Sequence, residues 1–231
     1  MTYGLKAING SDYIQIDSDS PRLCAVYNGT YQAVGNRVAT VLFPSPIRTT
    51  EPPCIFIRNS PTRPNDLYDG MTITGGVGNW TGFRITANNV NWRPSGKWFA
   101  AVFSARAEDD YGMRLWDESG AILYDSGTVP VIFTRANPVW SYQGRVTFPD
   151  YGSAQYYRNG APSSTLAEDE YFMINPLSRG VLSGTLGWDR MGVRFGYTTG
   201  FLEMYIVTIN PGGAWIDQGM PSAVFARLPG T

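Results

Sequence analysis

Apolar and polar residues alternate with a period of two along this chain, in short stretches bounded by Gly, Pro, Asn or Asp. That pattern marks β-strands separated by turns and leaves little room for helices, whose apolar positions recur every three or four residues. Asn9-Gly10 divides Tyr3–Ile8 from Tyr13–Asp17, and Asn-Gly is the strongest two-residue hairpin signal. Asp117-Glu118-Ser119-Gly120 divides Met113–Trp116 from Ala121–Tyr124 and suits a type I turn closed by a glycine bulge. Thr198-Thr199-Gly200 divides Met191–Tyr197 from Phe201–Ile209 in the same way. The best helical candidate, Leu166–Phe172, has room for one or two turns. With 26 glycines and 16 prolines scattered rather than periodic, these residues read as punctuation between many strands. The expected fold class is all-β.

A chain of 231 residues has room for one large β-domain or two of ordinary size. An internal repeat favours two. Tyr3-Gly4-Leu5-Lys6 is answered by Tyr111-Gly112-Met113-Arg114, 108 residues on (111 − 3). Each is followed by a turn, a second apolar stretch ending in Asp-Ser (Asp17-Ser18, Asp125-Ser126), and a proline (Pro21, Pro130). Trp80 and Trp188 keep the same spacing, followed by Gly82-Phe83-Arg84-Ile85 and Gly192-Val193-Arg194-Phe195 and then by the apolar stretches Trp98–Ala105 and Phe201–Ile209. Between these anchors, Cys54–Asn59 answers Tyr171–Asn175. The repeat predicts two tandem, related β-sandwich-like domains, 1–108 and 109–231, each of a size usual for that architecture.

The chain contains no histidine. This removes the commonest general base, the commonest metal ligand and every triad built on imidazole. Eighteen basic and 19 acidic residues give a net charge of −1, which makes no footprint for a polyphosphate, so no nucleic-acid partner is expected. Apolar runs such as Trp98–Val102 are too short to span a bilayer, and Met1-Thr2-Tyr3-Gly4 does not open a secretory leader. Cys24 and Cys54 sit in apolar, strand-like surroundings and read as buried thiols of a protein made in a reducing cytosol, with a disulfide as the alternative.

The acidic clusters Glu108-Asp109-Asp110 and Glu168-Asp169-Glu170 fall at element boundaries and read as solvated tips rather than as the carboxylate pair of a glycosidase. Asp17-Ser18-Asp19 lacks the glycine and distal glutamate of a calcium loop. Gly75-Gly76-Val77-Gly78 lacks the Lys-Ser/Thr of a phosphate loop. No enzyme activity, metal or cofactor is expected.

Seven tryptophans and 14 tyrosines exceed what a small β-core uses. Exposed aromatic faces serve protein interfaces and also stack on sugars. Trp80, Trp98 and Trp188 fall on strands and read as core. Trp92, in the polar loop Asn88–Gly96, is the first candidate for an exposed contact; Tyr156 and Tyr157 come next, one of the pair facing inward. Sixteen arginines against two lysines suit an assembly surface, because the guanidinium makes planar, bidentate contacts.

The two Tyr-Gly hairpins, with Ser119-Gly120 in the second turn and Asp17-Ser18 or Asp125-Ser126 closing each second strand, resemble a recurring pattern of tailed-bacteriophage tail proteins. With the Trp80–Phe103 stretch, the likeness covers about a third of the chain. It implies a virion structural subunit of the tail tip, baseplate or fibre-attachment region, assembled in the host bacterial cytoplasm. The partners it implies are other tail proteins and further copies of this chain, a trimer being favoured; it carries no catalytic residues. The alternative is a carbohydrate-binding, receptor-recognition module whose partner is a host surface glycan.

Overall fold

In the computed structural model the described residues are 6–8, 14–17, 22–63, 66–104, 110–120, 122–148, 152–160, 166–177, 180–183, 187–208, 221–228 and 230–231. The first half supplies β1 (Lys6–Ile8), β2 (Ile14–Asp17), β3 (Leu23–Gln32), β4 (Val38–Ile47), β5 (Cys54–Asn59), β6 (Tyr68–Gly76), β7 (Asn79–Ala87) and β8 (Ser95–Phe103). The second supplies β9 (Arg114–Trp116), β10 (Ile122–Asp125), β11 (Val129–Pro130), β12 (Ile132–Asn137), β13 (Trp140–Phe148), β14 (Gly152–Asn159) and β15 (Glu170–Met173). It continues with β16 (Gly180–Ser183), β17 (Gly187–Gly196), β18 (Phe201–Thr208) and β19 (Ala223–Arg227). The expected all-β, sandwich-like architecture is present.

Two large antiparallel sheets carry the fold. Sheet one runs β11-β3-β8-β5-β15-β19-β12; sheet two runs β13-β14-β18-β17-β6-β7-β4, with β16 paired to β17. Residues 1–108 and 109–231 do not close separate sandwiches. They share both sheets, joined where β5 meets β15 (Ile57 opposite Phe172) and where β6 meets β17 (Tyr68 opposite Val193). The boundary itself falls at 105–109, outside the described residues.

Outward from the junction in sheet one the strands are β5-β8-β3 on one side and β15-β19-β12 on the other. In sheet two they are β6-β7-β4 and β17-β18-β14. Taken in chain order, β3 to β8 therefore correspond to β12, β14, β15, β17, β18 and β19. Both junction pairs are antiparallel, as a local twofold axis requires.

This correspondence revises part of the sequence repeat. The hairpins β1–β2 and β9–β10 do match, Lys6 lying opposite Asp17 as Arg114 lies opposite Asp125. β5 and β15 match as strands, but one residue out of phase with the letters. Phe56 is buried on one face of sheet one and Phe172 on the other, so Ile57, opposite Phe172, is its counterpart. The tryptophan match fails. Trp80 is on β7 and Trp188 on β17, whereas β7 corresponds to β18; the Trp98 strand, β8, is in sheet one while β18 is in sheet two.

Both faces of sheet one are buried. Ile55, Ile57, Trp98, Ala100, Phe172 and Phe225 pack against Val41, Phe83, Ile85, Val193, Phe195 and Leu202 of sheet two. Leu23, Phe56, Phe99, Ala101, Val131, Tyr171, Ala226 and Leu228 form a second cluster on the opposite face, where the Phe56 and Phe99 rings stack 4.5 Å apart. Two-sided burial is why β5 and β8 are continuous apolar runs rather than alternating ones. It also overturns the expected helix at Leu166–Phe172. A turn at 168–169 leads into β15, where Tyr171 and Phe172 face the two clusters. Among the described residues the one helical element is a 3-10 turn, Asn175–Leu177.

The covered face of sheet one comes from curling. β11 pairs with β3, the Val131 amide donates to the Leu23 carbonyl (2.9 Å), and the next residue, Ile132, already lies opposite Arg227 of β19. One segment thus bridges the first and last strands, and Phe56 and Phe133, three strands apart in sheet order, bring their rings within 6.4 Å. Sheet two keeps two edges. A bulge at Gly144 (φ 107°) interrupts β13, and Pro44 and Pro46 interrupt β4, devices that discourage edge-to-edge pairing.

Candidate functional site

The β9–β10 hairpin is a two-stranded sheet of its own, apart from the sandwich. Such a hairpin is marginal alone, and the repeat motif supplies its fastening. Gly112 adopts φ 127°, and a Cβ there would fall 2.0 Å from Ser126 Oγ. The Ser126 hydroxyl oxygen accepts the Met113 amide (3.0 Å), and the Ser126 amide donates to the Met113 carbonyl (2.9 Å). Buried Asp125 accepts from Arg114 Nε (2.6 Å) and from the Gly127 amide (2.9 Å), while the Thr128 hydroxyl donates to its carbonyl (2.7 Å). Each letter of Tyr-Gly-x-basic…Asp-Ser after the tyrosine therefore has a structural task. Cys24 Sγ donates to Thr128 Oγ1 (3.7 Å), and beneath the arm Cys24, Leu123, Tyr124, Thr128 and Pro130 border a cleft of about 140 Å³.

The arm leaves large apolar groups in solvent: Tyr111 is 91% exposed, Trp116 57% and Met113 41%. Its tip is a capped turn in which Asp117 accepts from the amide and hydroxyl of Ser119, and Gly120, at φ 84°, donates to the Asp117 carbonyl. Glu118, at the turn's apex, is exposed.

The second feature lies on the outer face of sheet two, where register sets two rows across β14, β18 and β17. One row is Arg158–Glu203–Arg194; the next is Tyr156–Tyr205–Gly192. Gly192 leaves a gap that Leu67 fills. The Glu203 carboxylate, on a residue 2% exposed, is fully partnered. Tyr156 OH and Thr199 Oγ1 donate to Oε1 (both 2.7 Å), and Arg194 Nε (2.8 Å) and Tyr205 OH (3.1 Å) donate to Oε2. Burial pushes this carboxyl up, but the Arg194 charge and the donated hydrogen bonds outweigh it, and Glu203 ends below the usual glutamate range. It is a charge held for structure. Tyr156 OH in turn accepts from Arg158 Nε (2.6 Å), and the Arg158 guanidinium lies over the rings of Tyr156 and Phe201, 5.2 and 5.0 Å from their centres. Desolvation raises the Tyr156 and Tyr205 phenols.

The sequence candidates separate here. Tyr156 and Trp92 come together in one cluster with Leu67, Ala154 and Tyr205, Trp92 half-buried and the Tyr156 ring stacked on Tyr205 at 4.6 Å. Tyr157 faces the other way, against Trp140, Met191, Met204 and Ile206, with Tyr142 5.3 Å from its ring. Among the described residues the tryptophan that stands in solvent is Trp116, on a stretch read as strand. Among the acidic residues, Glu170 is buried in β15, accepting from Thr134 Oγ1 (2.7 Å) and Arg135 (3.2 Å). Asp169 pairs with Arg227 at 3.5 Å, and Asp110 is exposed. Glu108, Asp109 and Ser18-Asp19 lie outside the described residues.

Asp66 is also buried, with Oδ2 unpaired; burial raises its carboxyl above the usual range, opposed by the nearby Arg63, Arg93 and Arg194. Cys24 and Cys54 are free thiols, both raised by burial. No group of three or more metal-ligating side chains occurs among the described residues, and no helix among them is long and apolar enough to cross a membrane. A cleft of about 510 Å³ is lined by Val26, Ile47, Pro52, Cys54, Val102 and Phe103 among others. Comparison with protein-family models, curated proteins and solved structures gives no match.

Proposed function

We propose that this chain is a structural subunit of a bacteriophage tail, at the tip, baseplate or fibre attachment, acting through assembly with other tail proteins and with its own copies. The observation that carries the assembly reading is the β9–β10 arm. It is pinned by its own motif yet leaves Tyr111, Met113 and Trp116 uncovered, and aromatic and methionine side chains held rigid in solvent are what an interface core is made of. The tail assignment rests on the resemblance of the two Tyr-Gly hairpins. Blunted edges in sheet two and a bridged sheet one favour docking through faces and arms over strand addition.

The carbohydrate-binding alternative is less favoured, since Tyr156 is buried against Tyr205 and Trp92 is half-buried in the same cluster. The local twofold relation between the halves gives a trimer six similar units, the arrangement that would match a threefold tip to a sixfold tube. Light scattering on the purified chain over a range of concentrations tests this. A trimer or hexamer that falls apart on Trp116→Ala is expected; a monomer at every concentration refutes self-assembly.

A further inference from the structure

We propose that copies of this chain join through a contact between the tip of the β9–β10 arm and the outer face of sheet two, Glu118 of one copy seated on the Arg158 guanidinium of the next. The inference rests on the assembly reading above and names its partner and its two contacting groups. Arg158 is built to receive a carboxylate. Its Nε is committed to Tyr156 OH, and its plane is held against the rings of Tyr156 and Phe201, so the side chain has already lost the freedom that binding would remove. Its terminal amino groups make no hydrogen bond among the described residues and are not among the buried polar atoms that lack a partner. They are therefore open to solvent, presenting the two parallel N–H donors that a carboxylate accepts.

The Arg158 guanidinium feels the charge of Glu203 but makes no ion pair with it. Glu203, the cross-strand neighbour of Arg158, gives its oxygens to Arg194, Tyr156, Thr199 and Tyr205. Nearby, Arg63, Arg93 and Arg194 all act on the single buried carboxylate of Asp66, so this region holds more positive charge than Asp66 and Glu203 balance. The site is a sheet face and not a cleft, so its occupant arrives on a protein surface. The chain itself carries the complement. Glu118 is exposed at the apex of the turn, makes no hydrogen bond or ion pair among the described residues, and stands on an arm whose Trp116 and Met113 are uncovered. Opposite charge sets the register and the apolar side chains supply the buried area. A contact between two different patches is head-to-tail, the kind that builds a ring where its rotation closes and a filament where it does not.

Charge exchange tests it, with self-association followed by sedimentation velocity. Glu118→Arg lies on an exposed turn and leaves the fold intact; it is expected to weaken self-association roughly 30-fold or more, as loss of one partner of a desolvated charge pair does. Arg158→Glu is expected to do the same, and the double variant Glu118→Arg/Arg158→Glu to recover most of the affinity. Circular dichroism melts identify any variant that fails to fold; if Arg158→Glu does, Arg158→Gln with Glu118→Arg carries the comparison. Oligomers that form equally well with Glu118→Arg overturn this contact and leave the assembly reading standing. A wild-type chain that stays monomeric overturns both.

Discussion

Asn59 is the residue whose loss the fold should feel most. It ends β5, is completely buried, and its side-chain amide faces the backbone of Phe195 in β17. Nδ2 donates to the Phe195 carbonyl (3.1 Å) and Oδ1 accepts the Phe195 amide (3.0 Å), while Tyr197 OH donates to the Asn59 carbonyl. β6 pairs with β17 at Tyr68 and Val193 and has not yet begun alongside Phe195. The amide therefore stands in for a missing strand and ties the two halves together across the sheets.

Asn59→Leu keeps the volume and removes both bonds. Two buried backbone groups left unpaired cost about 1–3 kcal/mol each, so the variant should lose roughly 2–6 kcal/mol, which for a chain of this length lowers the melting temperature by about 5–20 °C. Thermal melts followed by circular dichroism, with wild type alongside, measure it. Tyr197→Phe removes one hydroxyl bond to the same residue and should cost about 1 kcal/mol. An Asn59→Leu protein melting within about 2 °C of wild type refutes the reasoning, since a loss that small corresponds to less than about 1 kcal/mol at this size.

Gly112→Ala should loosen the arm. It places a methyl against Ser126 in a left-handed conformation, and faster amide exchange at Met113 and Ser126 with little change in the global melt is expected. Glu203→Gln leaves Arg194 without its counter-charge and should cost about 3 kcal/mol at neutral pH. Because the folded-state Glu203 lies below its ordinary value, that contribution is present above the unfolded glutamate range and fades as pH falls through the folded value, so the two proteins should converge in acid melts. Asp66 has the opposite sign. Its carboxyl is raised by burial, so ionisation opposes folding as pH rises, and Asp66→Asn should raise the melting temperature at pH 7 by a margin that shrinks in acid.

The all-β class was legible because a period of two admits no other regular structure, and both Tyr-Gly hairpins could be placed from their turn residues alone. What escaped was whatever depends on which layer covers a strand. Leu166–Phe172 reads as helix or strand until sheet one is known to be buried on both sides. Trp92 sits among polar letters yet folds onto the patch that Gly192 and Leu67 open, a meeting that no local pattern announces. Trp116 shows the reverse: alternation marks a strand but cannot say whether a second layer exists to cover it. Glu203 carried one weak signal, a lone acid between the apolar neighbours Leu202 and Met204 in the middle of a strand. The Trp80–Trp188 spacing misled because loops of different length slid two unrelated tryptophans into coincidence.

The sharing of both sheets between the halves also sets the order in which this protein can be made. When the first 108 residues have left the ribosome, β5 and β6 each lack a neighbour, and those neighbours, β15 and β17, end at Met173 and Gly196. Asn59 waits 136 residues for Phe195. From residue 76 to residue 173 the nascent chain displays two open strand edges beside an apolar core, the state most exposed to wrong pairing with a neighbour on the same message. Translation that ends early should yield sticky fragments, and a chaperone has its longest hold before residue 196 emerges.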